Sequence, residues 1–154
     1  MGLGLAQLPN VAFRICAACV EVSQGHITDF AVFGTDYATP DGTAIRDYIH
    51  VSDLADAHVA ATRRLLDGGT GGAFNLGTGH GYSVKQVLDA IAAETGVSLK
   101  AAPGARREGD PPTLVADAAL AKAELGFTPK LSDMTSIVKT AWAWHQHAHP
   151  KRPS

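Results

Sequence analysis

Apolar side chains fall at Val84, Val87, Leu88 and Ile91, the i, i+3, i+4, i+7 spacing of one helix face. Ser83 and Gln86 frame its start as a capping box, and Gly96 closes it. A longer amphipathic stretch opens at Ser52 as N-cap, with Asp53 and Asp56 in its first turn. It runs through Leu54, His58, Val59, Leu65 and Leu66 to Arg63 and Arg64 near its end, and Gly68-Gly69 stops it. Asp117 caps a short helix that ends at Leu125, before the stop signals Gly126 and Pro129. Ser132 opens a last helix whose core face is Met134, Ile137, Val138, Ala141 and Trp142, with Trp144 off that face. Pro9 to Val22 predicts a further helix, with Ala12, Ile15, Cys16, Cys19 and Val20 on one side. Short apolar runs between these helices predict strands: Phe30 to Phe33, Asp47 to Val51, Ala73 to Leu76 and Val97 to Ala101. The pattern is α/β, with about five helices and short strands.

Composition narrows the picture. At 154 residues one domain is expected. Hydrophobic residues are 45% and charged residues 18%, ordinary for a globular protein. A net charge of -2 argues against a general nucleic-acid binder, which would carry a basic face. The start lacks the positive n-region and long apolar h-region of a targeting segment. No uncharged run approaches the ~20 residues of a membrane span. Cys16 and Cys19 have C-x-x-C spacing but no second pair, so they read as buried structural thiols, suited to a reducing cytosol. A cytoplasmic location is the expectation.

Three stretches carry candidate chemistry. Gly77-Thr78-Gly79-His80-Gly81 approaches the dinucleotide fingerprint, but its third glycine comes one residue early, and a tight turn of small residues explains it better. His145, His147 and His149 alternate, yet residues two apart on a helix do not face each other, so a solvated tail is expected and no metal site. His50 reads as a satisfied core histidine. The loop Phe33-Gly34-Thr35-Asp36-Tyr37 through Arg46-Asp47-Tyr48-Ile49-His50 is different, because its polar groups alternate with residues of apolar character. Buried polar groups must be paired or used. A second charged loop, Arg106-Arg107-Glu108-Gly109-Asp110, offers arginines suited to phosphate and an acid suited to a diol. Arg46 and Arg107 would clamp a diphosphate if the two loops converge.

Taken in order, Phe33-Gly34-Thr35-Asp36-Tyr37, Asp41-Gly42-Thr43, Arg46-Asp47-Tyr48-Ile49-His50-Val51, Asp53-Leu54-Ala55, Asn75-Leu76-Gly77-Thr78-Gly79, Ser83-Val84, Arg106-Arg107-Glu108-Gly109-Asp110-Pro111-Pro112 and Trp142-Ala143-Trp144 resemble the UDP-glucose 4-epimerases. These are extended short-chain dehydrogenases/reductases. The resemblance spans about Phe30 to Trp144 and fades before Phe30. It implies an α/β fold: the C-terminal, substrate-binding part of an extended short-chain dehydrogenase/reductase, with the N-terminal Rossmann part missing. It divides the chain into a poorly matching, helical segment 1–29, a substrate-binding domain 30–146 and a tail 147–154.

The same resemblance implies an activity, the interconversion of UDP-galactose and UDP-glucose at C4 by way of bound NAD. It implies that Ala31, Val32 and Phe33 lie against the uracil. Arg46 and Arg107 would contact the diphosphate and Asp110 the ribose, with Tyr48 near the same pocket. A position that is often Tyr in the family is Leu114 here. The family's Tyr-x-x-x-Lys and its glycine-rich NAD loop do not occur in the 154 residues. The chain is therefore expected to hold no catalytic, cofactor-binding or metal-binding residue and to be inactive alone. Its implied partners are a UDP-sugar and an NAD-binding domain, with a homodimer in the complete enzyme, and neither nucleic acid nor membrane. The alternatives are a non-catalytic nucleotide-sugar binding module and a related nucleotide-sugar epimerase or dehydratase.

Overall fold

The computed structural model describes residues 30–148 of the chain. The helix expected over Pro9 to Val22, with both cysteines, lies outside them, as do His149 and the end of the tail. The described elements are β1 (Phe30–Phe33), β2 (Ile45–Arg46), α1 (Val51–Leu66), β3 (Tyr82–Ser83), α2 (Val84–Thr95), β4 (Ala101–Gly104), β5 (Thr113–Leu114), α3 (Ala119–Leu125) and α4 (Met134–Ala148).

The strands form two small sheets. β1 pairs with β4 in parallel, Phe33 opposite Gly104. In the other, β2 is central, antiparallel to β3 and parallel to β5, so Arg46 faces Tyr82 on one flank and Leu114 on the other. Both parallel pairs run loop-to-loop: the chain leaves β1 and β4 on the same side.

α2 packs on α4, and between them lies the main core: Tyr48, Val87, Ile91, Met134, Ile137 and Val138. Ser83 accepts from the Gln86 amide at 3.1 Å while Gln86 Oε1 accepts from the Ser83 amide at 2.9 Å, the expected capping box. Gly96 ends the helix with φ +71°, a conformation glycine adopts without a Cβ clash. A second cluster joins α1 to α3 through Ala57, Ala121 and Phe127, with Phe74 and Leu76 against it.

Several elements differ from the sequence expectation. The strand expected over Asp47 to Val51 is only Ile45–Arg46, placed earlier. Beyond Asp47, whose amide still donates to Leu114 O at 3.1 Å, the ladder stops, and the His50 amide donates to Ser132 Oγ at 2.9 Å. α1 is capped not by Ser52 but by His50, whose Nδ1 accepts from the Ser52 amide at 3.0 Å. Its Nε2 meets Thr140 Oγ1 at 2.8 Å, so the core histidine is satisfied as expected. Ala73 to Leu76 is not a strand. Its apolar side chains find the α1–α3 cluster, but no neighbouring strand among the described residues takes up its backbone groups, and a ladder needs one.

The strand expected at Val97 to Ala101 lies instead at Ala101–Gly104, where Pro103 is tolerated because β1 is the one strand paired with β4 among the described residues. α4 starts at Met134, not at Ser132, since the Ser132 hydroxyl is taken by Asp53 at 2.6 Å. Asp133 Oδ1 accepts the Ser136 amide instead, at 2.9 Å. Asp117 supports α3 from just outside it: the cap is Ala118, and Asp117 Oδ1 accepts the Ala119 amide at 2.9 Å. Met134, Ile137 and Val138 are buried as expected, and Trp144 is exposed.

Candidate functional site

The loops after β1 and β4 meet over the end of their two-stranded sheet. Phe33 is 47% exposed, and its ring lies across Gly104, where a Cβ would sit 2.9 Å from it. Glycine is required there by the approach of the ring. The Arg107 guanidinium stacks over the Phe33 ring, 4.6 Å from its centroid. Its neighbour Arg106 does the same to Tyr37, also at 4.6 Å, and its Nε donates to Asp36 Oδ1 at 2.6 Å. That hydrogen bond holds the Asp36 carboxyl below the usual carboxylate range. Cation–π stacking of this kind orders an arginine without neutralising it.

Arg46, at the end of β2, completes the cluster. It is half-buried, and its Nη1 donates to Ile45 O at 2.6 Å. Its other terminal nitrogen donates to Asp110 Oδ1, on the loop after β4. Gly109 (φ +75°) makes the turn that brings Asp110 back, and the Asp110 amide donates to Arg107 O at 3.3 Å. Leu114, beside Arg46 in the ladder, is 59% exposed and offers no hydroxyl.

The loop between Tyr37 and Thr43 is braced from beneath. Asp41 Oδ1 accepts from the amide and hydroxyl of Thr43, at 2.9 and 2.7 Å, and its other oxygen accepts from the Ser83 hydroxyl. Burial raises the Asp41 pKa, but these donors outweigh it and hold the carboxyl below its ordinary value. The loop is thereby tied to the start of α2.

Of the residues singled out in sequence, the structure brings Phe33, Arg46, Arg107 and Asp110 into one cluster. Ala31 is half-buried in β1, and the Val32 side chain is buried, leaving that stretch only backbone groups and the Phe33 ring to offer. Tyr48 is 4% exposed and its ring is part of the α2–α4 core. Burial pushes its hydroxyl up to about 12. The sequence reading passed over the Asp36–Arg106–Tyr37 contact. Its signal was an acid and an aromatic side by side, opposite an arginine pair, but the partners are far apart in the chain.

The Gly77-Thr78-Gly79 turn does not fit a dinucleotide. Its amides at Thr78 and Gly79 donate to the Asp47 carboxylate at 2.9 and 3.0 Å, so the donors that would hold a pyrophosphate are taken. Among the described residues no group of three or more His, Cys, Asp or Glu is placed to hold a metal ion. No described helix is long and apolar enough to cross a membrane.

Comparison with known proteins gives the cluster a context. Residues 8–77 match the NAD dependent epimerase/dehydratase family, a match that starts well ahead of Phe30. The UDP-glucose 4-epimerase of Lacticaseibacillus casei is 44% identical over 138 residues, 90% of this chain and 41% of that protein. The crystal structure of UDP-glucose 4-epimerase from Brucella ovis in complex with NAD superposes with a TM-score of 0.80 at 44% identity, covering 94% of this chain and 43% of that one. This chain is similar to part of the UDP-glucose 4-epimerases. It has the α/β fold of part of them, and spans about two fifths of the length of the curated relatives it matches. The enzyme from Bifidobacterium longum, solved in complex with NAD+ and UDP, is 38% identical with a TM-score of 0.75, over 92% of this chain and 40% of that chain.

Proposed function

We propose that this chain supplies the nucleotide-sugar-binding part of a UDP-glucose 4-epimerase. The observation that carries the reading is the convergence of Phe33, Arg46, Arg107 and Asp110 at the ends of two parallel strand pairs. An exposed aromatic face suits a uracil, two arginines suit a diphosphate, and a carboxylate suits the two hydroxyls of a ribose. These groups are engaged with one another. Arg46 is paired with Asp110, and Arg107 lies on Phe33. Binding then exchanges internal contacts for ligand contacts: phosphate replaces Asp110 on Arg46, and the freed carboxylate turns to the ribose. The internal pairing keeps the two cations from facing each other unscreened.

The hydride chemistry at C4 belongs to NAD and a general base, and the 154 residues hold no Tyr-x-x-x-Lys and no glycine-rich NAD loop. This chain's part in the reaction is to grip the nucleotide so that the hexose reaches a cofactor held elsewhere. The complete enzyme is then an isomerase of galactose metabolism that requires an NAD-binding domain and can act as a homodimer. The test is to mix the chain with the separately produced NAD-binding part of a relative and follow UDP-galactose conversion to UDP-glucose. Turnover on mixing, with none from either piece alone, is expected. No turnover at any ratio, under conditions where the two parts associate, sinks the reading.

A further inference from the structure

The glycine turn that resembles a nucleotide loop in sequence is filled from within, and what fills it is the neighbour of Arg46. Asp47 Oδ1 accepts from the Thr78 amide at 2.9 Å and from the Thr78 hydroxyl at 2.8 Å. Oδ2 accepts from the Gly79 amide at 3.0 Å and from the Ala116 amide at 3.3 Å. Successive amides at a turn form a concave anion site; here the anion is a side chain. Gly77 is pressed against the same carboxylate, leaving no room for a Cβ. On the main chain, Ile45 and Asp47 donate to Pro112 O and Leu114 O at 2.8 and 3.1 Å. One carboxylate therefore ties β2 to the 78–79 turn and to the segment after β5 together.

Arg46 lies between Ile45 and Asp47, and consecutive side chains of a strand point to opposite faces. Asp47 can thus grip the scaffold without meeting whatever Arg46 meets. The Arg46 guanidinium leans on Ile45 O, so its aim follows from the backbone that Asp47 anchors. A flexible side chain aimed in advance loses less freedom on binding.

We propose that Asp47 is a positioning residue for Arg46, setting the affinity for the diphosphate of a nucleoside diphosphate without touching it. The inference rests on the reading that Arg46 engages that diphosphate. The test is calorimetry on the full chain with UDP and with uridine, which differ only in the diphosphate. Arg46→Ala lowers the preference for UDP over uridine by more than any other variant named here, leaving only the share that Arg107 supplies. Asp47→Asn, which keeps the size but turns a carboxamide NH2 toward backbone donors, lowers that preference roughly tenfold, in line with a lost charge-assisted contact. Its uridine affinity stays within about twofold, a constancy expected of positioning and not of partial unfolding. Thr78→Val removes the hydroxyl contact to Asp47 along with the hydroxyl's contacts to the His80 carbonyl and amide, and keeps the amide contacts to Asp47; it lowers the preference by a smaller factor and stands in if Asp47→Asn does not fold. The inference is overturned if Asp47→Asn keeps the wild-type preference, or loses UDP and uridine equally, or if it fails to fold and Thr78→Val changes nothing. A wild-type chain without the preference, or Arg46→Ala retaining it in full, removes the reading of Arg46 itself.

Discussion

The molecule holds its carboxylates in two contrasting ways. Around the start of α1, Asp53 is 3% exposed and accepts the Lys130 amide, the Leu131 amide and the Ser132 hydroxyl at 3.0, 2.8 and 2.6 Å. Ser132 in turn receives the His50 amide. This is a brace between α1 and the approach to α4, and nearly every partner is main chain or a neutral hydroxyl. In the loop cluster, Asp36 and Asp110 are paired with arginines near the surface. The difference teaches a rule for this chain. Amide donors fix a carboxylate permanently because the backbone cannot leave, whereas an arginine is mobile and can trade one anion for another. A buried carboxylate with no cation of its own reads as scaffold, whereas Asp110, held by the half-buried Arg46 beside Arg107, reads as part of a site.

The most forceful way to break that contrast is Asp53→Ala. It leaves two amides and a hydroxyl unpaired in a buried place, and the expected loss is about 3–5 kcal/mol. Urea denaturation reads it. A loss below about 1 kcal/mol would place Asp53 with the surface carboxylates and dissolve the distinction. The same residue predicts the acid behaviour. Burial raises its pKa, but the Ser132, Lys130 and Leu131 donors, with His50 nearby, bring it below the ordinary 3.8. A folded-state pKa below the unfolded one stabilises the fold above 3.8 and loses that contribution as pH falls through the lower folded value. Stability should therefore decline below about pH 4, and less steeply in a folded Asp53→Asn variant.

Gly77→Ala comes next in size. The added Cβ would stand 2.5 Å from Asp47 Oδ2 and 2.6 Å from Ala116 Cβ. Relief requires moving an anchored carboxylate, so a loss of about 1–3 kcal/mol is expected. Gly79→Ala probes the same turn by another route, since a Cβ there meets nothing and only the φ of +77° resists it. A smaller loss is expected for it than for Gly77→Ala; the reverse order would mean that backbone conformation, not the seat of Asp47, governs the turn.

What was legible in the sequence follows the range of the interactions. The Ser83–Gln86 box spans one helical turn, and it stands as read. The buried face of α2 follows from period alone. Asp53 was legible only as a first-turn acid, because Lys130, Leu131 and Ser132 lie far along the chain and no local pattern announces them. Ser132 misled for the same reason, its hydroxyl being drawn to Asp53 and not to the helix it precedes. Ala73 to Leu76 has strand composition without a partner strand among the described residues, and composition cannot supply one. Within the loop cluster, the arginine-rich run and the Phe33 loop were each visible, but their contact depends on β1 pairing with β4. Asp47 was read as a strand residue, although its carboxylate explains the Gly77-Thr78-Gly79 turn that sequence could only set aside.

Tyr48→Phe sharpens the comparison with a smaller effect. Tyr48 follows Asp47 directly, yet its ring lies in the α2–α4 core and its hydroxyl is buried without a hydrogen-bond partner among the described residues. Removing a buried, unpaired hydroxyl relieves a desolvation cost, so stability should hold or rise by up to about 1 kcal/mol. UDP affinity should not change. A stability loss above that size would mean the hydroxyl is satisfied, and a clear fall in UDP affinity would return Tyr48 to the ligand side.

The smallest expected effect lies at Arg106. Its guanidinium and the Asp36 carboxylate are 46% and 73% exposed, where water and salt compete for both charges. Arg106→Gln should leave the urea midpoint within scatter and chiefly loosen the 36–42 loop, read as faster exchange of the Tyr37 amide, which donates to Gly42 O at 2.9 Å. Adding salt to the unaltered chain should mimic part of that loosening, because screening weakens the ion pair while the stacking on Tyr37 persists. The brace around Asp53 in the same chain should show no comparable salt response, since its donors carry no net charge. If salt instead loosens the brace around Asp53 as much as the Asp36 loop, the two ways of holding a carboxylate are not distinct in this fold.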